Sequence, residues 1–400
     1  MRNIQHVAAL STTVRNEEAP LSTRAPIYLD HAATTPVDPR VAAVVMHHMV
    51  EEFGNAGSRT HEYGTRSARA VEHARAQVAA VVDVDPAEVI FTSGATESDN
   101  LAILGLAQHG LASGRRHIVS TAIEHKAVLE PLEHLAERGF EIELVRPEPS
   151  GAVDPEQVLS SVRADTLLVS VMHVNNETGI QQPVEAIGDG LEDPGVYFHS
   201  DAVQGFGKVF EPLRHPRLDM VSVSGHKIYA PKGIGALVTR RRDRKRPPLT
   251  PLLMGGGQER GLRPGTLPVH LAAGLGLASE LAASEATSRR DHAEEMRVRV
   301  LEAITAVGAQ VNGDPARSVP NIINTSIPDL DSEAVILALR DLVSISNGSA
   351  CTSATYEPSH VLTAMGLEDD ARRGAVRFSW EPNSIFPTLE KVLALLKRLG

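Results

Sequence analysis

The sequence predicts an α/β protein: a mostly parallel sheet of seven strands with helices on both faces, joined to a smaller α/β lobe. Three observations predict it. Short β-rich runs alternate with helical stretches between Val89 and Arg240, polar residues recur just after those runs, and the pattern changes near Gly274. The candidate strands are Val89–Ser93, His117–Ala122, Phe140–Arg146, Leu167–His173, Tyr197–Ser200, Met220–Ser224 and Gly235–Thr239. Beyond Gly274 an amphipathic stretch over Ser279–Ala306 reads as one helix leading into the second lobe. Strand-like Asn321–Ile327, helical Ser332–Leu342, strand-like Ala375–Phe378 and a terminal helix over Thr388–Leu399 follow. At 400 residues the chain can bury cores for both lobes.

Composition narrows the function. Net charge is −11, which argues against general affinity for nucleic acid. The one basic run, Arg240 to Arg246, reads as a solvated surface turn before Pro247 and Pro248, with docking of an acidic partner as the alternative. No apolar run reaches the roughly 18 residues needed to span a bilayer. Residues 1–25 lack the order of a secretion signal and read as a loose extension. A single cysteine rules out an internal disulfide and a Cys-rich zinc site, and points to a reducing cytoplasm. The 17 histidines show no HExxH or paired His-Cys spacing, so no metal site is expected.

Ligands in an open parallel sheet bind outside the carboxyl ends of the strands. Gly94-Ala95-Thr96, Glu124-His125, Asn175-Asn176, Asp201 and Ser224-Gly225-His226-Lys227 each follow a candidate strand. One or two such placements would be unremarkable; five in phase predict a crevice. The small-residue turn at Thr92–Glu97 opens a helical stretch and suits a phosphate, although Ser-Gly turns commonly just cap helices. Lys227 at a strand end either reaches water or serves as a Schiff-base lysine. Asp201 either caps its strand or keeps a pyridine nitrogen protonated, as the electron-sink role of pyridoxal phosphate requires. His125 could stack on a flat ring or be a satisfied core histidine. Together they make one coherent cofactor site. Cys351 lies among small polar residues from Ser346 to Thr355, which predicts an exposed loop and a reactive thiol.

These segments make the chain resemble the cysteine desulfurases of the NifS/IscS-like group, within the class-V aminotransferase superfamily. The resemblance runs from Tyr28-Leu29-Asp30-His31-Ala32-Ala33-Thr34-Thr35-Pro36 to Arg377-Phe378-Ser379. It includes His173-Val174-Asn175-Asn176-Glu177, Asp201-Ala202-Val203-Gln204, Gly255-Gly256-Gly257-Gln258-Glu259 and Gly348-Ser349-Ala350-Cys351-Thr352-Ser353. It implies a fold-type I enzyme using pyridoxal 5'-phosphate, with residues 38–276 as the large domain and 26–37 with 277–400 as the small one. It implies that Lys227 carries the cofactor and Asp201 pairs with its ring nitrogen. Gln204 would meet the ring oxygen, and His125 would stack and shuttle protons. Ala95, Thr96, Ser224 and His226 would hold the phosphate, with Thr266 reaching in from the other subunit of a homodimer. Asn176 and Arg377 would bind the carboxylate of L-cysteine. Cys351 would take the sulfur as a persulfide for an acceptor protein.

Some positions depart from the family pattern: Asn55-Ala56-Gly57-Ser58, Arg263-Pro264-Gly265-Thr266 and Trp380-Glu381-Pro382-Asn383. The chain also ends at Gly400 without the longer tail of housekeeping members, so DNA phosphorothioation and tRNA or cofactor thiolation stand beside iron–sulfur assembly as expected pathways. The competing readings are another class-V enzyme, such as a selenocysteine lyase or aminotransferase, and a non-catalytic docking scaffold. The first leaves Cys351 without a purpose; the second ignores a full set of catalytic residue types.

Overall fold

The computed structural model describes residues 26–348, 359–381 and 391. The extension 1–25, the Cys351 segment and the expected helix Thr388–Leu399 therefore lie outside the described residues, apart from Lys391. Strand β1 (Ile27–Tyr28) precedes helices α1 (Pro39–Val50) and α2 (Glu62–Val81). Then come β2 (Val89–Thr92), α3 (Ala95–Ser113), β3 (His117–Thr121), α4 (Lys126–Ala136) and β4 (Glu141–Val145). Four more strands follow: β5 (Thr166–Ser170), β6 (Tyr197–Asp201), β7 (Met220–Ser224) and β8 (Gly235–Thr239). These form one seven-stranded sheet in the order β2-β8-β7-β6-β5-β3-β4. Only β8 runs against the rest, pairing antiparallel with both β2 and β7.

The central strands are rich in Val, Ile and Leu because both faces are covered. On one face Leu101, Ile103 and Leu106 of α3 and Val128 and Leu132 of α4 pack on Ile118, Leu168, Met220 and Leu237. On the other, Val71 and Val78 of α2 pack with Phe91, Val119, Val169, Phe198, Val221 and Val238. Helix α5 (Val269–Ser284) joins that second layer. It can do so because a Cβ on Gly276 would come 2.6 Å from the Cα of Ala74, an approach that only glycine allows.

The single helix expected over Ser279–Ala306 is two. Helix α5 ends at Ser284 and α6 runs Ala286–Thr305. Between them Glu285 leaves helical geometry (φ −101°, ψ 8°), and its carboxylate is held by Arg40 and Arg289. Arg289 is a local partner four residues on, but Arg40 comes from 245 residues away and leaves no local signal. Beyond it, β9 (Gln310–Val311), β10 (Ile322–Ser326) and β12 (Ala375–Ser379) form an antiparallel three-stranded sheet. Helix α7 (Ser332–Leu339) is shorter than expected and leads to β11 (Val343–Ser344), which pairs in parallel with β1. A separate core of Leu29, Met296, Val300, Ile323, Val335, Phe378 and Trp380 closes this lobe.

The basic run is less solvated than expected. Arg240 donates to the carbonyls of Leu218 and Val82 at 3.0 and 3.2 Å, and Arg246 to that of Ala87 at 2.8 Å. Arg242 pairs with buried Asp219 at 2.7 Å, which Arg217 also meets. Three of its cations are thus staples that tie strand ends together, since buried carbonyls and carboxylates need donors.

Candidate active site

The carboxyl end of the large sheet opens into a cavity of about 1160 Å³. Ala95, Thr96, His125, Asn176, Asp201, Gln204, Ser224, His226, Lys227 and Arg377 all line it. Ten of the expected site residues therefore converge, though they come from six stretches of chain.

The turn between β2 and α3 supplies one wall. Helix α3 has 19 residues, and its first amides point out of the helix toward the cavity mouth, the arrangement that binds anions. Gly235 of β8 lets this turn lie against the sheet: a Cβ there would fall 2.7 Å from the Cα of Gly94. Ser93 N donates to Glu97 at 2.7 Å and Arg263 Nε meets the same carboxylate at 2.9 Å. Burial opposes the Glu97 charge, but these two donors hold its pKa below the usual carboxylate value. Arg263 thereby ties the Arg263-Pro264-Gly265-Thr266 stretch to the turn. Thr266 itself is exposed and does not line the cavity of its own chain.

Lys227 ends a short helical turn after β7, and its Nζ donates to the carbonyls of Ala32 and Ala33 at 2.5 and 2.8 Å. Gln204 donates to the same Ala32 carbonyl at 2.9 Å and accepts from Lys208 Nζ at 3.4 Å. Lys208 is pushed down to about 7, first by burial and then by Lys227. His226 bonds Thr34 Oγ1 at 3.1 Å and is lowered to about 4, by burial before the nearby lysines.

His125 caps α4: its Nδ1 accepts from Ala127 N at 3.1 Å. With Nδ1 an acceptor, the neutral ring carries its proton on Nε2. Burial lowers its pKa, which Asp201 opposes. Asp201 is 6% exposed, accepts from Val203 N at 2.9 Å, and is raised to about 6 by burial and by Asp99.

The opposite wall is Arg377 on β12, 4% exposed. It donates to Asp30 Oδ1 at 2.6 Å, Ser346 Oγ at 3.0 Å and the carbonyl of Asn176 at 2.9 Å. Gly348 and Ser359 also line the cavity. Ser359 Oγ donates to Glu177 at 2.5 Å, and Gly348 lies against the same side chain. The stretch 349–358, with Cys351, is outside the described residues.

This donor set fits pyridoxal phosphate. Anion-binding amides, a lysine amine and a buried carboxylate short of a cation share one space of ring-and-phosphate size. The aminotransferase class-V family model matches residues 27–392. The chain belongs to the class-V aminotransferase family. It is 47% identical over 358 residues to the cysteine desulfurase IscS of Vibrio cholerae serotype O1, covering 89% of this chain and 88% of that one. Its fold is similar to the crystal structure of DndA from Streptomyces lividans, with 54% identity and a TM-score of 0.78 over 88% of this chain and 99% of that one. It is also similar to SspA in complex with cysteine, at 34% identity and a TM-score of 0.79 over 90% of this chain and all of that one. Like these relatives, this class-V enzyme depends on pyridoxal phosphate, and its activity is that of a cysteine desulfurase.

Sequence reasoning missed the groups that hold the site residues in place. The Ala32 and Ala33 carbonyls, Asp30 and Lys208 carry no chemical signature of their own. Only the Asp30–Ala33 stretch could have been found, through the resemblance.

Proposed function

We propose that this cavity converts L-cysteine to L-alanine and that Cys351 holds the released sulfur as a persulfide before passing it to an acceptor protein. One observation carries the reading: Lys227, Asp201, His125 and the turn at Ala95 and Thr96 share a cavity whose other wall is Arg377 with Asn176. Bound pyridoxal phosphate supplies an electron sink for charge developing on the substrate. Lys227 is the covalent carrier, its amine steered by the Ala32 and Ala33 carbonyls. Asp201 would pair with the ring nitrogen, and Gln204, whose amide nitrogen also donates to the Ala32 carbonyl, would offer its second N–H to the ring oxygen. The Ala95 and Thr96 amides, Ser224 and His226 hold the phosphate, with Thr266 of a second copy. His125 packs against the ring and moves a proton at Nε2. Arg377, steadied by Asp30 and Ser346, receives the substrate carboxylate together with Asn176.

Cys351 then acts as thiolate on the substrate sulfur. An S–S bond forms as the Cβ–S bond breaks, carbon keeps the electron pair, and a proton completes the methyl group of alanine. No external oxidant or reductant is needed, and the thiol leaves as a persulfide.

The same reading makes the enzyme a homodimer. Met46, Met49, Val50 and Phe53, together with Leu253 and Met254 near Thr266, are large apolar side chains left exposed on one chain. Residues 38–276 form the cofactor-bearing domain and the remaining described residues the smaller one, supported by the β1–β11 pairing and the Asp30–Ser379 bridge. No helix among the described residues is long and apolar enough to cross a membrane, and a lone thiol suits the cytoplasm.

The test is at Cys351. Cys351→Ser keeps cofactor and substrate binding but lacks the soft nucleophile, so it should hold the cofactor yet release no alanine. The unmodified enzyme, treated with cysteine and no reductant, should gain one sulfur atom on the Cys351 peptide. Alanine release by the variant at near the parent rate overturns the assignment.

A further inference from the structure

The sheet face beneath α3 turns polar at its carboxyl end. His199 and Asp201 alternate onto one face of β6, where His199 bonds Ser170 Oγ at 2.9 Å and Ser222 Oγ at 3.0 Å. Asp99 of α3, one turn beyond the phosphate-binding amides, meets them there: its Oδ1 lies 3.5 Å from His199 Nε2. Both residues are fully buried, and neither Asp99 oxygen has a hydrogen-bond partner among the described residues. Asp99 nonetheless lines the cofactor cavity.

Such a carboxyl is costly where it stands. The groups around it do not neutralise it. His199 is held to about 4 and His173, behind β5, to about 3, both by burial, so both are neutral. Glu124, after β3, is pushed well above the usual carboxylate range by burial, so it supplies no cation. His125 is lowered, and the Lys227 amine is engaged by backbone carbonyls. Asp99 and Asp201 are therefore two buried carboxyls on one cavity, with no cation bonded to either among the described residues. Burial raises both: Asp99 to about 7, against a lowering contribution from the Ser222 hydroxyl, and Asp201 to about 6, with the Asp99 charge adding to that rise.

We propose that Asp99 is a positioning residue for the cofactor's pyridine nitrogen: with Asp201 it forms a two-carboxyl pocket whose negative potential favours the protonated ring, at the expense of the cofactor-free protein's stability. A protonated nitrogen brings the cation that the pair lacks, so binding relieves the repulsion. This rests on Asp201 as the direct partner of that nitrogen.

The sign follows from linkage. Asp99 has a higher pKa folded than unfolded, so the folded chain holds the extra proton between about pH 4 and 7. Its stability falls as pH rises through that window, and the loss is complete above about 7. Asp99→Asn keeps the shape of the protonated acid and removes the charge.

The experiment compares cofactor-free and cofactor-loaded protein with pyridoxal phosphate and its 1-deaza analogue, in which carbon replaces the ring nitrogen. In Asp99→Asn the cofactor-free form should melt about 3 °C higher at pH 8, with the gain vanishing toward pH 4. Its affinity for pyridoxal phosphate should fall about tenfold, one pKa unit of lost interaction, while affinity for the deaza analogue stays unchanged. A variant that is unstable, that loses both ligands equally, or that binds pyridoxal phosphate as the parent does overturns the proposal. The Asp201 reading fails separately, if the parent enzyme itself binds the two ligands equally.

Discussion

Glu259→Gln should unfold the large domain at lower denaturant while leaving its shape intact. Arg75 and Glu259 form a bidentate pair at 2.8 and 2.7 Å, with side-chain exposures of 3% and 1%. Glu259 also accepts from Phe91 N at 2.7 Å, and Arg75 donates to the Val89 carbonyl at 2.8 Å and sits 4.8 Å from the Phe91 ring. The pair thus joins α2, β2 and the loop that carries Arg263. A glutamine has one acceptor oxygen where three donors converge, so its NH₂ must face an Arg75 or Phe91 N–H. Breaking a buried pair costs about 3–5 kcal/mol; Glu72, 3.1 Å from Arg75 Nε, retains part of the charge balance and favours the lower end. A loss of about 3 kcal/mol is roughly a hundredfold in the unfolding equilibrium. Urea denaturation followed by far-ultraviolet circular dichroism measures it. Arg75→Met should cost a similar amount, and the double variant Arg75→Met/Glu259→Gln less than the sum, because each single change strands a buried charge. Additive losses, or a single loss under about 1 kcal/mol, would refute the reasoning.

Two further outcomes are expected. Borohydride reduction of the cofactor-loaded enzyme should fix the cofactor on the peptide containing Lys227, as peptide mapping shows; an adduct on Lys208 or any other lysine would contradict the site. Acid should destabilise the fold through its buried histidines: His31, His199 and His226 are depressed to about 4 and His173 to about 3, in each case first by burial. The unfolded chain binds these protons first, so the histidines' contribution to stability is full above about pH 6.5 and declines as pH falls toward 3–4, opposite in sign to that of Asp99. Urea midpoints across that range, measured in Asp99→Asn so that the opposing Asp99 proton is removed, give the slope, and a midpoint that does not rise between about pH 4 and 6.5 would contradict neutral buried rings.

Much of the fold could be read from local pattern. Met220–Ser224 and Gly235–Thr239 keep their expected bounds because each is an apolar, branched run between turn residues. The strand expected over Leu167–His173 starts one residue earlier and stops three sooner, at Thr166–Ser170, although Val171 and His173 still donate to the carbonyls of His199 and Asp201. The irregular stretch brings Asn176 to the cavity, while the buried Asn175 side chain bonds the Ile123 carbonyl and the Glu177 and Thr178 amides instead. The antiparallel course of β8 had a signal in its short connection from β7, since parallel strands need a longer crossover.

By itself the sequence determined which chemical groups stand at each strand end, because side-chain alternation and turn chemistry act over a few residues. Lys227, Asp201, His125 and the Gly94 turn were legible for that reason. Only the tertiary structure decided which groups meet: Arg75 with Glu259 across 184 residues, Glu285 with Arg40 at the helix break, and Asp99 with His199 beside Asp201. Those encounters depend on strand register and helix packing, which join distant stretches of chain through buried surface and leave no mark on either stretch alone.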